Sequence, residues 1–492
     1  MILEKRNSIY LWIILILYFV LLFIVGYHHE PWADEAQSWL IARDCSWKYI
    51  FSNISRYEGH PFVFFYILKC FINLSPDNAE YLYRYIFLIP LFFSSVGMYL
   101  FIFKSKFPLW IKCIIPFTFF LFFQSGVCAR DYSLCFFILS LIALYYPVRL
   151  KHPVLYTLLL IFAANIHLFL WCFVLILFIF FLFDIIKAEP NNKIRAYILP
   201  LVISTILLLI TILYMYPPSD CTSFVFWEDE TKYIRQLKRI INIFIPSNDN
   251  NYVLLFEITI LALIYYIPYN IYCKNLYQKL LFISLNLPIY FIYLYFYIQP
   301  YHGVFAFSIL IFTCWILANE NNISKLPRIN MKNAIFYLFY IIILFYQVYY
   351  NILISKEDIY TNYCGSKEAV EFIKKYNLDR YEINGIGFKS VALQPYFNKN
   401  IYTNYYNSAY YSWTPLFERY FNVEDYYKMP ILVVSVHEMS IPDKILETHN
   451  YYYFNGDILY LNYKNNIKEI NGFRIYVNKD IAEHNHLPSI AK

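Results

Sequence analysis

Two adjacent carboxylates follow the first long apolar run of the chain. Asp34 and Glu35 occur in the stretch YHHEPWADEAQSW, directly after about twenty almost purely apolar residues. Neighbouring residues on a helix point about 100° apart, so one carboxylate can face a cavity while the other orients a neighbour. Because a positioned carboxylate can take the proton from an attacking hydroxyl, Asp34 and Glu35 are candidate catalytic residues. The alternative is a pair of solvated loop charges beside a helix start.

Two further motifs contain ionisable residues. YEGHP includes Glu58 and His60, which can line a site or cap the helix that Pro61 would begin. ARDYSL includes Arg130 and Asp131. The fork of an arginine donates two hydrogen bonds to a phosphate and keeps its charge, whereas the bland alternative is a salt bridge within the motif or between helices. We predict a phosphate contact from Arg130 and substrate contacts from Glu58, His60 and Asp131.

Histidines occur in two connections between apolar runs. Asn165 and His167 lie in ANIH, and His302 lies in QPYHG. A single histidine at such a place is more often a hydrogen-bonded structural residue than a ligand. Several polar groups on one membrane face favour function for these histidines, and we predict a substrate contact from Asn165. No HExxH motif occurs and zinc needs three ligands at short spacing, so no cofactor is predicted, although a divalent metal stays open.

The composition is that of a membrane protein. Of 492 residues, 60% are hydrophobic, 22% are aromatic and only 15% are charged. The 10 cysteines form no CxxC pair and no regular framework, so disulfides and structural zinc are not indicated. The net charge of +6 is spread over loops without a basic block, which argues against a nucleic-acid partner.

The apolar runs predict about eleven transmembrane helices. They cover residues 8–27, 81–103, 109–125, 132–148, 153–168, 169–186, 196–216, 252–272, 278–298, 303–318 and 333–353. Residues 61–75 are short for a span and contain Lys69, so they are predicted to form a juxtamembrane helix of the first outer loop. The predicted fold is therefore a polytopic α-helical membrane protein.

Basic residues predict the orientation of these helices, since short cytoplasmic loops carry an excess of Lys and Arg. With residues 61–75 on the outer side, every even connection is basic. These connections contain Lys104, Lys106, Lys112, Arg149, Lys151, Lys187, Lys193, Arg195, Lys274, Lys279, Lys325, Arg328 and Lys332. We expect a multi-pass protein of the plasma (inner) membrane with a cytoplasmic N-terminus, and the candidate site residues then share the outer face.

The tail is predicted to be a separate domain. Residues 1–354 would form the transmembrane domain and residues 355–492 an extracytoplasmic domain. The tail contains the helical pattern SKEAVEFIKKYNL and the strand-like stretches PILVVSV and DILYLNY, which favour a small α/β fold.

Taken together, WADEAQSWLIARD, YEGHP, ARDYSL, ANIH and the later His–Gly pair resemble the GT-C superfamily of membrane glycosyltransferases. The resemblance is to the protein O-mannosyltransferase and aminoarabinose transferase type, within a poorly characterised bacterial branch. It covers nearly the whole chain and is densest over residues 28–170.

The resemblance implies an inverting transfer of a sugar from a polyprenyl-phosphate donor on the outer face. The acceptor would be a lipid, a glycan or a protein of the cell envelope. In such enzymes the first-loop aspartate acts as the base that activates the acceptor, or assists it. That role falls on Asp34, with Glu35 beside it in the acceptor site. The phosphate of the donor would be bound by Arg130, His167 and His302.

Two other functions remain open. A polytopic transporter or flippase of a lipid-linked or small polar substrate could line its path with the same polar residues, although it would place ionisable groups near the midplane and often shows inverted repeats. A sensor whose outer domain binds a ligand would leave the acidic first loop without a role.

Overall fold

A computed structural model describes residues 2–188, 195–222, 236–237, 239–240, 244, 251–295, 300–321, 331–405, 408–414, 423–435, 443–456 and 471–488. The fold is mostly helical (74%). The α-helices are α1 Ile2–His28, α2 Ala33–Asp44, α3 Trp47–Tyr49, α4 Ser55–Glu58, α5 Val63–Ile72, α6 Ala79–Leu82, α7 Leu88–Lys104, α8 Leu109–Ile114, α9 Tyr132–Tyr145, α10 Pro153–Ala164, α11 Leu170–Ala188, α12 Arg195–Met215, α13 Asn251–Tyr272, α14 Leu276–Asn286, α15 Pro288–Tyr295, α16 Gly303–Glu320, α17 Met331–Tyr360, α18 Ser366–Lys375 and α19 Lys479–His484.

Shorter helical turns connect these elements. The 3-10 helices are Pro76–Asn78, Tyr83–Tyr85, Ile115–Phe117, Tyr146–Val148, Pro300–His302, Leu378–Arg380, Phe388–Tyr396, Val423–Lys428 and Asp443–Glu447, and the π-helices are Ile50–Ile54 and Phe120–Val127. The π-helix Phe120–Val127 ends at Cys128, whose backbone is extended, and a short turn then leads into α9. This turn carries Arg130.

Within the described residues, five helices are long and apolar enough to cross a membrane, or seven if two bent helix pairs are single spans. The five are Ser8–His28, Leu170–Ala188, Tyr197–Met215, Gly303–Glu320 and Leu338–Tyr360. Each predicted apolar run coincides with helix, but several helices are short. The 12 residues of α10, for example, rise about 18 Å against a hydrocarbon thickness of about 30 Å. The count of eleven therefore stays a prediction, as does the orientation.

The burial of the helices agrees with a polytopic membrane fold. On α1, Ile9, Ile13 and Ile16 are 54–60% exposed, and large apolar side chains exposed along a helix are typical of a lipid-facing surface. In contrast, α16 is buried along most of its length and forms the centre of the bundle. The helix α5 has only 10 residues, which is short for a span, and the juxtamembrane position of residues 61–75 stays a prediction.

The tail forms a small mixed sheet flanked by helices. Its strands are β1 Ile383–Ile386, β2 Ile431–Ser435, β3 His449–Gly456 and β4 Asn471–Asn478, in the order β1-β2-β4-β3. β1 and β2 are parallel and the other pairs are antiparallel. The predicted helix in SKEAVEFIKKYNL and the predicted strand in PILVVSV are confirmed as α18 and β2. The stretch DILYLNY lies outside the described residues. The last long helix, α17, continues six residues beyond the predicted boundary at residue 354.

Candidate functional site

Asp34 and Arg130 form an ion pair at one end of the helix bundle. Asp34 lies in the first turn of α2. Its Oδ2 lies 2.5 Å from Nη1 of Arg130, and the two side chains are 18% and 10% exposed. The guanidinium also lies over the ring of Tyr132, 5.6 Å from its centroid. The candidate base and the candidate phosphate ligand are thus neighbours, shielded from bulk solvent but still accessible.

Glu35 is engaged in a different network. Its Oε2 accepts the Trp32 backbone N–H at 3.0 Å and lies 3.0 Å from His29 Nε2, and its Oε1 accepts the Ala129 backbone N–H. The other ring nitrogen of His29 lies 2.9 Å from an oxygen of Asp358 in α17. Since Glu35 is fully buried and both of its oxygens are bonded, the structure assigns it to holding α2 against the turn before α9, not to substrate contact.

The network around Glu35 contains a buried cation. Burial by itself disfavours the imidazolium of His29, but the carboxylates of Asp358 and Glu35 outweigh it and raise the pKa of His29 well above its ordinary value. Three elements, α1, α2 and α17, therefore meet at one charged histidine. Sequence reasoning assigned no role to His29 or Asp358, and only the position of His29 in the acidic first loop could have drawn attention to it.

His60, Asp131 and His167 form a second cluster beside the ion pair. Nδ1 of His60 lies 3.9 Å from Oδ2 of Asp131, and the rings of His60 and His167 have their centroids 5.1 Å apart. Asp131 occupies the N-cap of α9 but makes no capping hydrogen bond, and its Oδ1 has no partner among the described residues. An aspartate at an N-cap usually accepts a backbone N–H of the first turn. Asp131 instead lies beside His60, which favours a role in the candidate site.

The electrostatics of the cluster follow from burial. Burial raises the pKa of Glu58 and that of Asp131, each to about 7. Burial and the nearby guanidinium lower the pKa of His60 and that of His302, each to about 3. Burial, together with the neighbouring imidazoles, lowers the pKa of His167 well below its ordinary value. At neutral pH the three histidines are therefore uncharged hydrogen-bonding groups.

The cluster contains residue types that can bind a metal ion, but its hydrogen bonding does not suit one. His60, Asp131 and His167 each offer a ligand atom, and these atoms lie within 4.8 Å of one another. However, Nδ1 of His167 accepts the Phe169 backbone N–H at 3.0 Å, so in the neutral ring Nε2 carries the proton. A protonated nitrogen cannot coordinate a metal. Nε2 of His167 is instead a buried donor without a partner among the described residues, and it suits an oxygen of a substrate better than a cation.

The side chain of Asn165 forms its hydrogen bonds outside this cluster. Its side-chain nitrogen donates to the Ile161 carbonyl at 2.8 Å and to Thr211 Oγ1 at 3.2 Å, and its oxygen accepts from the Tyr214 hydroxyl. These bonds tie the end of α10 to α12. The geometry therefore gives Asn165 a structural function and offers no support for the predicted substrate contact.

A segment of the tail lies against the first loop next to these residues. Nε2 of Gln37 donates to the Tyr411 carbonyl at 2.8 Å, and Oε1 of Gln37 accepts the Tyr411 N–H at 2.9 Å. The same Nε2 donates to Glu58 at 2.8 Å, and the Trp413 side chain also hydrogen-bonds to Glu58. We call residues 408–414 the strap. No pattern in the sequence indicated this contact, because it joins positions more than 350 residues apart.

A second tail contact involves Glu30. Its carboxylate accepts the backbone N–H groups of Cys364, Gly365 and Lys367 at 2.7–3.0 Å and the hydroxyl of Ser366 at 2.9 Å. These donors lie at the start of α18, where a carboxylate also interacts favourably with the helix dipole. The first loop is therefore joined to the tail at two places, through Glu30 and through the strap.

An apolar cavity of about 510 Å³ lies between α13, α14 and α15. Tyr265, Phe282 and Tyr290 contribute to its lining. One helical turn beyond Tyr290, the hydroxyl of Tyr293 donates to the backbone carbonyl of His302 at 2.6 Å. The cavity thus lies within the apolar helices, near the polar cluster.

Charged residues also meet at the ends of α9 and α16 that lie away from the Asp34–Arg130 pair. Arg149 follows α9 and lies 2.7 Å from Asp184 and 3.9 Å from Glu320, the last residue of α16. The Tyr277 hydroxyl donates to Asp184 at 2.8 Å. Because α9 and α16 rise roughly 20–27 Å along their lengths, this cluster is distant from the Asp34–Arg130 pair.

Comparison with known protein families, with curated protein sequences and with solved structures finds no match. The resemblance to GT-C enzymes therefore depends on the motifs and stays a prediction.

Proposed function

We propose that the protein is an inverting membrane glycosyltransferase that moves a sugar from a polyprenyl-phosphate donor to an acceptor hydroxyl on the outer face of the membrane. One observation carries the proposal: residues from four separate segments of the chain meet in one shielded cluster at one end of the bundle. These residues are Asp34, Glu58, His60, Arg130, Asp131, His167 and His302. The cluster combines a carboxylate, a permanent cation and neutral donors, which are the groups that glycosyl transfer from a phosphate requires.

The proposed chemistry assigns a separate task to each group. Asp34 takes the proton of the acceptor hydroxyl while the oxygen of that hydroxyl attacks the anomeric carbon of the donor sugar. The bond from that carbon to the phosphate oxygen breaks, and its electron pair leaves with the polyprenyl phosphate. Arg130 engages Asp34 through Nη1, and a guanidinium has five N–H donors, so further donors remain for the phosphate. The Nε2–H of His167 supplies another donor.

The apolar cavity supports a donor carried on a lipid. A chain of isoprene units needs an apolar path that ends near the reacting phosphate. The cavity between α13, α14 and α15 is lined mainly by apolar and aromatic side chains, with Asn286 as a polar exception, and α15 continues towards His302. A lipid chain lying there would bring its phosphate to the polar cluster.

The transporter alternative agrees less well with the distribution of charge. The two ionic clusters, around Arg130 and around Arg149, lie at opposite ends of α9 and α16. In the described part of α16, the buried positions between these ends are occupied mainly by apolar residues. A transport path for a polar substrate would require ionisable groups near the middle of the bundle.

The proposal is tested with purified protein in lipid and a panel of radiolabelled polyprenyl-phosphate sugars. We expect the parent to transfer label to water or to extracted envelope glycolipid, and Asp34→Asn to lower the rate by about 100- to 10,000-fold. Asp44→Asn is the matched control, because Asp44 ends the same helix and pairs with Arg43 at 2.6 Å. Full activity in Asp34→Asn, or equal loss in both variants, contradicts the proposed role of Asp34.

A further inference from the structure

The strap adds an aromatic wall to the candidate site. Tyr411 and Trp413 are half-buried, and their ring centroids are 5.0 Å apart in an edge-to-face contact. Phe388 of the tail packs against both rings, at 5.7 Å and 5.2 Å. These rings therefore form a supported surface and are not loose side chains.

The wall is joined directly to the polar cluster. The indole N–H is the only side-chain donor of Trp413, so it is the group that binds Glu58. Glu58 lies near enough to Asp34 and Arg130 for their charges to influence it. Glu58 also accepts from Gln37 at 2.8 Å. An aromatic surface, a carboxyl group and an amide thus lie side by side next to the candidate base.

Part of the main chain of the strap is already bonded. Tyr411 uses both its N–H and its carbonyl with Gln37. The Trp413 carbonyl accepts the Thr222 N–H at 3.1 Å, and the Tyr410 carbonyl accepts from Ser408 at 3.1 Å. An extended peptide is recognised mainly through unpaired backbone groups, and these four groups are already used. The strap therefore presents side chains to a ligand.

We propose that the strap completes the acceptor site and that the acceptor is a carbohydrate, with Trp413 and Tyr411 contacting a face of its ring and Glu58, which Gln37 holds in place, bonding its hydroxyls. A sugar ring has an apolar C–H face and a polar edge. Ligand sites typically match such a molecule with aromatic side chains beside a few placed polar groups. The inference rests on the transferase activity proposed above, and it narrows the acceptor from lipid, glycan or protein to glycan.

The first arm of the test measures binding without turnover. The probes are methyl glycosides of common hexoses and pentoses and short oligosaccharides, observed by saturation-transfer NMR with full-length protein in nanodiscs. We expect the parent to bind members of this panel and Trp413→Ala to weaken binding at least about tenfold. Trp47→Ala is the matched control, because Trp47 is an exposed tryptophan of the first loop that packs on Tyr66. It should bind like the parent.

Trp413→Phe is a second variant that separates a loss of binding from a folding defect. Phenylalanine keeps an aromatic ring but cannot donate to Glu58, so this variant should bind with an intermediate affinity while remaining folded at the temperature of the binding assay. Binding by Trp413→Ala that equals the parent, or no binding of any probe by the parent, overturns the inference.

The second arm measures transfer. Given a donor that the parent uses, Trp413→Ala should raise the KM for the glycan acceptor at least about tenfold, whereas Trp47→Ala should keep the KM of the parent. Efficient transfer to serine- or threonine-containing peptides instead of glycans overturns the inference while upholding the transferase. Absence of turnover with every donor counts against the transferase, and the binding arm still decides whether the strap holds a carbohydrate.

Discussion

At the residue scale, the site combines charged and neutral groups with separate tasks. The Asp34–Arg130 pair supplies the charges, and His60, His167 and His302 remain neutral because burial lowers the pKa of each. A neutral imidazole can donate a hydrogen bond to a phosphate oxygen without forming a permanent ion pair that would slow product release. The arrangement therefore suits a phosphate that must be stabilised briefly and then released.

The raised pKa of Glu58 gives a prediction for stability. Its pKa of about 7 lies above the ordinary value, so the folded protein binds more protons than the unfolded chain between about pH 4.5 and 7. Stability should therefore fall as the pH rises through this range. Glu58→Gln, which mimics the protonated acid, should show a smaller fall in unfolding temperature from pH 6 to pH 8.

Thermal unfolding of the detergent-solubilised protein at both pH values measures this effect. Asp131 has the same direction of shift and contributes to the remaining dependence in the variant. Glu368→Gln changes an exposed acid of α18 and serves as the control, which should show the same fall as the parent. An unfolding temperature of Glu58→Gln that falls as steeply as that of the parent contradicts the assignment.

The sequence could indicate residue types near the site but not their partners. Asp34 and Arg130 were predicted as base and phosphate ligand, and their ion pair is a contact between residues 96 positions apart that no spacing rule describes. Glu35 has the same local signal as Asp34, yet it is buried in a capping network, because the rotation of α2 decides which carboxylate faces the site. Asn165 likewise fits a polar-site pattern but bonds to α12.

At the element scale, two sets of hydrogen bonds couple the first loop to the tail. Glu30 fills the N-terminus of α18 with four hydrogen bonds, and the strap contacts α2 and α4 through Gln37 and Glu58. Both contacts start from the loop that also carries Asp34. The position of the tail and the geometry of the candidate base are therefore mechanically linked.

Glu30→Gln should loosen the start of α18. A glutamine offers one acceptor oxygen and turns an N–H2 group towards backbone donors, so some of the four bonds are lost at a cost of about 2 kcal/mol or more. Hydrogen exchange of the peptide covering residues 364–375 should become faster. Glu368→Gln, an exposed acid in the same first turn, is the control and should exchange like the parent. Unchanged exchange in Glu30→Gln contradicts this account.

Local sequence patterns predicted many helices and strands but not the bends between them. The apolar runs became helices, and α18 and β2 lie where the sequence indicated. The breaks were not predicted: residues Leu109–Phe117 and Phe120–Val127 meet at 48°, although their composition reads as one continuous apolar run. The break follows Pro116, which lacks a backbone N–H for helix bonding, and tertiary packing fixes the angle.

At the scale of the whole molecule, the buried helix α16 connects two polar ends with different functions. His302 precedes it at the candidate site, and Glu320 ends it in the Arg149–Asp184 cluster. The latter cluster joins α9, α11, α14 and α16 and contains no residue of the candidate site. We therefore assign it to stability.

Arg149→Met should destabilise the protein without changing its chemistry. The substitution leaves the carboxylates of Asp184 and Glu320 without their cation in a largely buried position, at a cost of about 3 kcal/mol. The unfolding temperature should fall, whereas the rate per folded molecule should equal that of the parent. A variant that is stable but inactive would place the cluster in a functional path and favour the transporter.

The most direct measurement separates donor binding from proton removal in Asp34→Asn. The variant is mixed with a polyprenyl-phosphate sugar that the parent uses, binding is measured by equilibrium partition into nanodiscs containing protein, and release of polyprenyl phosphate is followed in a single turnover. We predict binding within about threefold of the parent and release slower by about 100-fold or more. Release at the rate of the parent would contradict the central claim that Asp34 activates the acceptor.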